Sequence, residues 1–209
     1  MSRHSPMALT LYGGARSRAS MVRWYLEEKG IPYSWQPLDM AAGEHRQAPF
    51  TAINPFGKVP ALVDDGLSGP DGGPLKLFES GAILLHLAEG VGQEFTDPAT
   101  AQARRSLTAQ WLLFANATLG PALIAGKEKP AELDRLLAVL EPRLEPGTSL
   151  LAGRWGNPGW GAADCVVQAY LAYLPLFLPE HSLSSTPRIA ATIAATAQRP
   201  AYRRVMGLG

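Results

Sequence analysis

The sequence predicts a mixed α/β unit at the N-terminus followed by an all-helical unit at the C-terminus. The first observation is a short apolar run, residues 8–12, that leads through two glycines into a helical pattern. The second is a pair of extended runs joined by a glycine-rich turn at residues 71–73. The third is the change after residue 99, beyond which only helical periodicities occur.

The first half of the α/β unit has the order strand, helix, strand. Residues 8–12 form the first predicted strand, and a helix begins near Ser17, with apolar side chains at three- and four-residue spacing. The sequence Gly-Ile-Pro at residues 30–32 ends that helix, and residues 33–38 resume an extended pattern. This order predicts a parallel strand pair joined by a right-handed crossover.

The second half of the unit contains two more predicted strands. Residues 59–63 and 75–78 read as extended, and the glycine-rich turn between them predicts an antiparallel pair. The stretch 66–73 is longer than an ordinary hairpin loop. A helix follows from Ser80, and residues 90–98 are typical of a linker.

The C-terminal unit carries side chains that repeat at helical spacing and that are apolar apart from Thr118. These are Leu107, Trp111, Phe114 and Thr118; Leu133, Leu136, Leu137, Leu140 and Leu144; and Ile189 with Ile193. The most apolar stretch, residues 166–178, is too short to span a bilayer and predicts a buried helix. We therefore assign residues 7–90 to the α/β domain and residues 99–209 to the helical domain.

The composition excludes several classes of protein. The chain of 209 residues is 46% hydrophobic and 18% charged with a net charge of +1, so neither disorder nor nucleic-acid binding is expected. The single cysteine, Cys165, cannot form an intramolecular disulfide, and the histidines lack a metal-ligand spacing, so we expect no metal. The first seven residues lack the apolar run of a signal peptide, which favours a cytoplasmic protein without membrane association.

Residues 54–62, with the sequence NPFGKVPAL, lie at the start of the third predicted strand. A cis Val59-Pro60 bond, which costs little for X-Pro, would turn the N–H and C=O of Val59 outward toward a peptide ligand. This run closely resembles the glutathione S-transferase family. The resemblance implies a thioredoxin-like N-terminal domain, a C-terminal helical bundle and glutathione as co-substrate, with Val59 pairing to its cysteinyl part like an added strand.

Glu79 and Ser80 fall where the fourth predicted strand ends and a helix begins. Free N–H groups and the positive end of the helix dipole favour a carboxylate there, although such a pair can also simply cap the helix. The resemblance assigns this place to the γ-glutamyl group of glutathione. Glu79 would accept from its ammonium and Ser80 would donate to its carboxylate, so we expect both side chains to be exposed.

Residues 43–47, with the sequence GEHRQ, resemble the basic segment with which several branches of the family hold the glycyl carboxylate. His45, Arg46 and Lys58 are the candidates, because a carboxylate in a cleft favours charge-assisted hydrogen bonds. The alternative for each of them is a solvated helix face.

A second motif lies in the helical domain, where residues 150–153 and then Ala163-Asp164 resemble the family's capping motif. The position that carries serine or threonine in the family is Gly161 here, which is a weaker N-cap. We expect Asp164 to brace backbone amides rather than to act in catalysis.

Three alignments give different candidates for the residue that activates the glutathione thiol. Counting forward from the first strand selects Ser17, and counting backward from the end of the helix selects Arg16. A third alignment selects Tyr12, whose ring could instead complete strand packing. We assign Ser17 as donor to the thiolate, with Arg18 or Arg16 adding positive potential, and Tyr12 remains the rival.

The resemblance also implies a second substrate and a homodimer. Trp111 and Phe114 are candidates to line an apolar pocket for a small electrophile such as an aryl halide, an isothiocyanate or a peroxide. The alternative is that both side chains pack in the core. The other function to consider is a non-catalytic glutathione-binding or protein-interaction module on the same fold. Thiol exchange through a protein cysteine is not expected, because the loop after the first strand has none.

Overall fold

The computed structural model describes residues 9–14 and 17–208, and within them a four-stranded mixed sheet comes first. Its strands are β1 (Leu9–Gly13), β2 (Ser34–Pro37), β3 (Ala61–Ser68) and β4 (Pro74–Phe78). They lie in the order β2-β1-β3-β4, with β1 and β2 parallel and the other neighbours antiparallel. The helices α1 (Ala19–Lys29) and α2 (Ser80–Glu89) pack on this sheet and on each other. The predicted thioredoxin-like arrangement is confirmed.

Helix α1 begins at Ala19, two positions after the predicted start at Ser17. The Ser17 hydroxyl accepts a hydrogen bond from the Ala19 N–H at 3.2 Å, which satisfies one of the free amides at the helix start. At the other end Gly30 has φ 63, and the N–H of Ile31 returns to the Leu26 carbonyl at 2.9 Å. Glycine is favoured there because a side chain would strain this left-handed position.

The hairpin between β3 and β4 is tighter than the sequence suggests. Strand β3 continues to Ser68, so the connecting turn is residues 69–73 and not the longer stretch 66–73. The turn closes through a hydrogen bond from the Gly69 N–H to the Gly73 carbonyl at 2.7 Å. The Asp71 carboxylate accepts from the Gly73 N–H at 3.1 Å, a bond that lowers the pKa of that carboxyl.

The helical domain follows the linker. Its helices are α3 (Ala101–Phe114), α4 (Gly120–Ile124), α5 (Pro130–Leu140), α6 (Ala162–Phe177), α7 (Pro187–Gln198) and α8 (Pro200–Met206), and a π-helical turn (Ala115–Leu119) joins α3 to α4. Helix α6 packs against α1, α2, α3, α4 and α7 and buries most of its residues, so the prediction of a buried helix is confirmed. By length and composition alone the run Ala101–Ile124 could cross a membrane; here it packs against α2 and α6.

Glu94, in the linker, ties the two domains together. Its carboxylate accepts hydrogen bonds from the Tyr25 hydroxyl at 2.7 Å and from the Ala162 N–H at 3.1 Å, and it lies 3.5 Å from the Lys29 ammonium. The linker carboxylate thus supplies the cap that Gly161 cannot. A Cβ at Gly161 would come within 2.5 Å of that carboxylate, so a larger residue there would require the Glu94 side chain to shift.

Asp164 has the bracing role that the sequence predicts. Its carboxylate accepts from the Ser149 hydroxyl at 2.7 Å and from the N–H groups of Leu150 and Gly161 at 2.8 and 3.0 Å. Burial raises the pKa of this carboxyl, and the three hydrogen bonds oppose that rise. Asp164 therefore fixes the loop before α6 and the start of the helix.

Candidate functional site

The bond between Val59 and Pro60 is cis, as predicted, and it directly precedes β3. The loop before it is held by Asn54, a buried residue whose importance sequence reasoning missed. The Asn54 amide donates to the Lys58 carbonyl at 2.7 Å and accepts from the Phe56 N–H at 3.1 Å. An asparagine immediately before a proline is a turn signal that could have identified it.

Glu79 occupies the N-cap of α2 in an unusual backbone conformation, with φ 68 and ψ 119. Residues other than glycine rarely adopt a positive φ, and such strain of about 1–3 kcal/mol is concentrated at functional sites. Its side chain is exposed and, among the described residues, makes no capping hydrogen bond to α2. The carboxylate therefore faces solvent at the positive end of the helix.

Ser80 contradicts the expectation that it is exposed. Only 1% of its surface is accessible, and its hydroxyl donates to Oδ1 of Asn116 at 3.0 Å. The reason is that the start of α2 packs against α3 and the π-helical turn of the other domain. Of the predicted pair, only Glu79 presents its side chain to solvent.

Asn116 joins residues from both domains around this point. Its Oδ1 also accepts from the Tyr170 hydroxyl at 3.0 Å, and its Nδ2 donates to the Leu112 carbonyl at 2.9 Å. The Arg18 guanidinium lies over the Tyr170 ring, 5.9 Å from its centroid. Burial raises the pKa of Tyr170, the charge of Arg18 lowers it, and the carboxylate of Glu79 raises it.

Sequence reasoning missed Asn116 and Tyr170 because they are 54 positions apart and belong to no local motif. The available signal was an amide within an otherwise apolar helical run, together with the π-helical turn, a feature that often marks functional sites.

The loop between β1 and α1 carries the candidates for thiol activation. The Ser17 hydroxyl donates to the Gly14 carbonyl at 2.8 Å, so its proton is directed back into the loop. Ser20 is joined to the Tyr173 hydroxyl at 2.6 Å, which links this loop to α6. Arg16 lies outside the described residues.

Tyr12 lies on β1, half-buried, with its ring 6.0 Å from the ring of Phe50. It lines a cavity of about 280 Å³ together with Glu44 and Gln47. The structure thus brings Tyr12 beside Glu44 and Gln47, which belong to the segment 43–47 predicted to hold the glycyl carboxylate.

The three basic candidates for that carboxylate differ in exposure. Arg46 and Lys58 are exposed, whereas only 9% of the surface of His45 is accessible. Its Nδ1 has no hydrogen-bond partner in the described part of the chain. A Cβ at Gly57 would lie 2.9 Å from the His45 carbonyl, so the two loops are in close contact. His45 is therefore not on a solvated helix face.

Trp111 and Phe114 are half-buried, and their rings meet edge to face at 5.7 Å. Both pack against the apolar core while keeping part of their surface accessible.

Over residues 9–14 and 17–208, no group of three or more histidine, cysteine, aspartate or glutamate side chains could hold a metal ion.

Comparison with known proteins gives a consistent result. The family model described as glutathione S-transferase, N-terminal domain, matches residues 7–89. Glutathione S-transferase PARB of Nicotiana tabacum is 31% identical over 94% of this chain and 96% of its own length. Disulfide-bond oxidoreductase YfcG of Escherichia coli is 36% identical over 66% of this chain and 69% of its own.

Solved structures give the same picture for the fold. A glutathione transferase from Burkholderia graminis, with two glutathione molecules bound per subunit, has a TM-score of 0.76 at 29% identity, covering 95% of this chain and 87% of its own. A glutathione transferase from Pseudomonas putida, with one glutathione disulfide bound per subunit, has a TM-score of 0.76 at 26% identity, covering 98% and 93%.

Proposed function

The chain belongs to the glutathione S-transferase family, and from that premise we propose that it is an enzyme that activates the thiol of glutathione and transfers it to small electrophiles. Aryl halides, isothiocyanates and peroxides are the substrate classes. With an aryl halide, the thiolate forms a carbon–sulfur bond, the carbon–halogen bond breaks, and the halide leaves with the thiol proton released to water. Such a reaction serves detoxification.

The observation that supports this proposal most strongly is the conformation of Glu79 at the start of α2. A strained, exposed Glu79 lies there beside the positive end of a helix, and the charges of Glu79 and Arg18 both act on the Tyr170 hydroxyl. A γ-glutamyl group carries an ammonium and a carboxylate, which match the Glu79 carboxylate and the free N–H groups of the helix start. Val59 would pair with the cysteinyl backbone, and His45, Arg46 and Lys58 would surround the glycyl carboxylate.

The chemistry requires a lower thiol pKa. A free thiol with a pKa of about 8.5 is mostly protonated at neutral pH, so positive charge and hydrogen-bond donors near the sulfur increase the thiolate fraction. Arg18 supplies charge beside this loop. The Ser17 hydroxyl would have to rotate from the Gly14 carbonyl toward the sulfur, whereas Tyr12 would act only if the sulfur lay over β1.

A conjugation assay with a panel of electrophiles and glutathione tests the proposal. Turnover above the uncatalysed rate, together with a rise in melting temperature on adding glutathione, is expected. If glutathione stabilises the protein but no electrophile is turned over, the chain is the non-catalytic binding module. If glutathione neither stabilises the protein nor holds it on a glutathione resin, the proposed function is wrong.

A second candidate is glutathione-dependent disulfide reduction. The observation favouring it is that a relative is named a disulfide-bond oxidoreductase and that related structures hold two glutathione molecules or their disulfide. Two glutathione molecules can reduce a substrate disulfide to two thiols and leave as glutathione disulfide, so no protein cysteine is needed. Reduction of a small disulfide, followed through glutathione disulfide formation, separates this activity from conjugation.

We also propose a cytoplasmic homodimer with domains at residues 7–90 and 99–209. The exposed aromatic pair Phe56 and Phe78 supports an interface, since their rings meet at 5.3 Å and 71% of the Phe56 surface is accessible. Sedimentation should give twice the 22.4 kDa of one chain, and Phe56→Ser should shift the protein toward monomer. A monomer at micromolar concentration would contradict the dimer.

A further inference from the structure

The helical domain contributes two polar side chains, Asn116 and Tyr170, that connect the γ-glutamyl end of the proposed glutathione site with Arg18, the residue proposed to lie beside the thiol. We propose that they are positioning residues: Asn116 sets the orientation of Ser80 at the γ-glutamyl end, and Tyr170 supports Arg18 beside the thiol. This inference rests on the proposed function, and it assigns a role in glutathione binding to residues that do not themselves belong to the glutathione-binding motifs.

The orientation of the Asn116 amide is fixed by its surroundings. The Leu112 carbonyl can only accept a hydrogen bond, and it lies 2.9 Å from one end of the amide, so that end must be the NH₂ group. The oxygen therefore faces the hydroxyls of Ser80 and Tyr170, each 3.0 Å away. Because this oxygen can only accept, both hydroxyls must donate to it.

This arrangement determines what Ser80 offers to a ligand. Its single hydroxyl proton is directed to Asn116, so its Oγ keeps lone pairs and not a donor. The γ-glutamyl carboxylate would therefore bind mainly to the N–H groups at the start of α2, and the ammonium to Glu79. If Asn116 is removed, the buried Ser80 hydroxyl loses its acceptor and the start of α2 loses its hydrogen bond to the π-helical turn, so the N–H groups that would bind the carboxylate are held less firmly.

Tyr170 contacts Arg18, the residue proposed to lie beside the thiol. With its proton on Asn116, its oxygen keeps lone pairs, and its ring provides a face for the Arg18 guanidinium at 5.9 Å. The hydrogen bond and the ring are separate contacts. They can be removed one at a time, since Tyr170→Phe deletes only the hydroxyl and Tyr170→Leu deletes the aromatic face as well.

A double-mutant cycle tests the Asn116 half of the proposal. Glutathione affinity is measured by calorimetry for the wild type, Asn116→Ala, Ser80→Ala and the double variant, with melting temperatures alongside. We expect Asn116→Ala to weaken glutathione binding about tenfold. The double variant should bind glutathione no more weakly than whichever single variant binds it less tightly, because the two residues act through one contact. Unchanged affinity in Asn116→Ala, or losses that add, would overturn a role through Ser80.

The Tyr170 half is tested by the pKa of the bound glutathione thiol. Tyr170→Phe should weaken glutathione binding while leaving the thiol pKa unchanged, whereas Tyr170→Leu should also raise the thiol pKa. Tyr202→Phe is the matched control, because Tyr202 is a buried tyrosine of the same domain that packs on Trp24. If both Tyr170 variants behave like this control, the inference is wrong. If the wild type itself does not bind glutathione, the proposed function fails first and this inference falls with it.

Discussion

Replacing Glu94 by alanine should destabilise the protein, because one linker carboxylate satisfies groups in both domains. The substitution leaves the buried Tyr25 hydroxyl and the Ala162 N–H without their partner. A buried polar group without a partner costs about 1–3 kcal/mol, which gives about 2–6 kcal/mol for two. The Lys29 ion pair, at 3.5 Å, adds little.

The lower part of that range is expected. Glu94 borders a cavity of about 260 Å³, into which water can enter and bond to the two groups. We therefore predict a loss of about 2–3 kcal/mol in the free energy of unfolding, measured by urea denaturation. For a chain of this size that corresponds to a fall of about 4–12 °C in melting temperature.

Two further variants make the prediction specific. Glu94→Gln keeps an oxygen for both donors but loses the charge at the start of α6 and the ion pair with Lys29, so about 0.5–1 kcal/mol is expected. Glu89→Ala is the matched control, since Glu89 also pairs across the domains, with Arg105 at 2.9 Å, but both side chains are exposed. A loss below about 1 kcal/mol in Glu94→Ala, equal to that of Glu89→Ala, would refute the reasoning.

Four other outcomes are expected. Burial raises the pKa of the Cys165 thiol well above its ordinary value, so Cys165 should resist thiol reagents until the protein unfolds. Rapid labelling of Cys165 in the native protein would contradict its burial. Burial raises the pKa of Tyr173 to about 12, above the unfolded value of about 10. The stability that protonated Tyr173 contributes is therefore complete below pH about 10 and is lost as the pH rises toward 12. Denaturation of Tyr173→Phe should lack this part of the alkaline loss of stability, and identical pH profiles of the two proteins would show that Tyr173 makes no such contribution. Glu79→Ala should weaken glutathione binding by about 1.5–3 kcal/mol in calorimetry, and unchanged affinity would mean that the γ-glutamyl site is misassigned. Ser17→Ala should lower kcat with glutathione affinity largely kept, while Tyr12→Phe should change little; the reverse result in the conjugation assay would select the tyrosine.

Most of the fold could be predicted from the sequence because it is encoded locally. Apolar spacing, the glycine at the end of α1 and the turn glycines identify helices and strands without knowledge of distant contacts. The predicted hairpin turn was too long because β3 continues as an exposed strand through residues 65–68. These residues lack the alternation of apolar and polar side chains that identifies a strand. The Glu94 cap had no local signal, since its partner Ala162 is 68 positions away.

The site was predicted less completely, for a related reason. The roles of Val59 and Glu79 were predicted from the resemblance of their local motifs to the family, which needs no knowledge of distant contacts. The burial of Ser80 depends on Asn116, which belongs to the other domain, so it cannot be inferred without the packing of the two domains. The direction of the Ser17 hydroxyl depends on the Gly14 carbonyl three positions earlier, a contact that apolar spacing and motif order do not encode.

The pKa of the glutathione thiol bound to the wild-type protein tests the central claim most directly. It can be followed through the ultraviolet absorbance of the thiolate as the pH of the complex is raised, with free glutathione as the reference. We predict that the bound thiol ionises well below its free value of about 8.5. Saturable binding with an unshifted thiol pKa would contradict thiol activation, and the absence of binding would contradict the glutathione site itself.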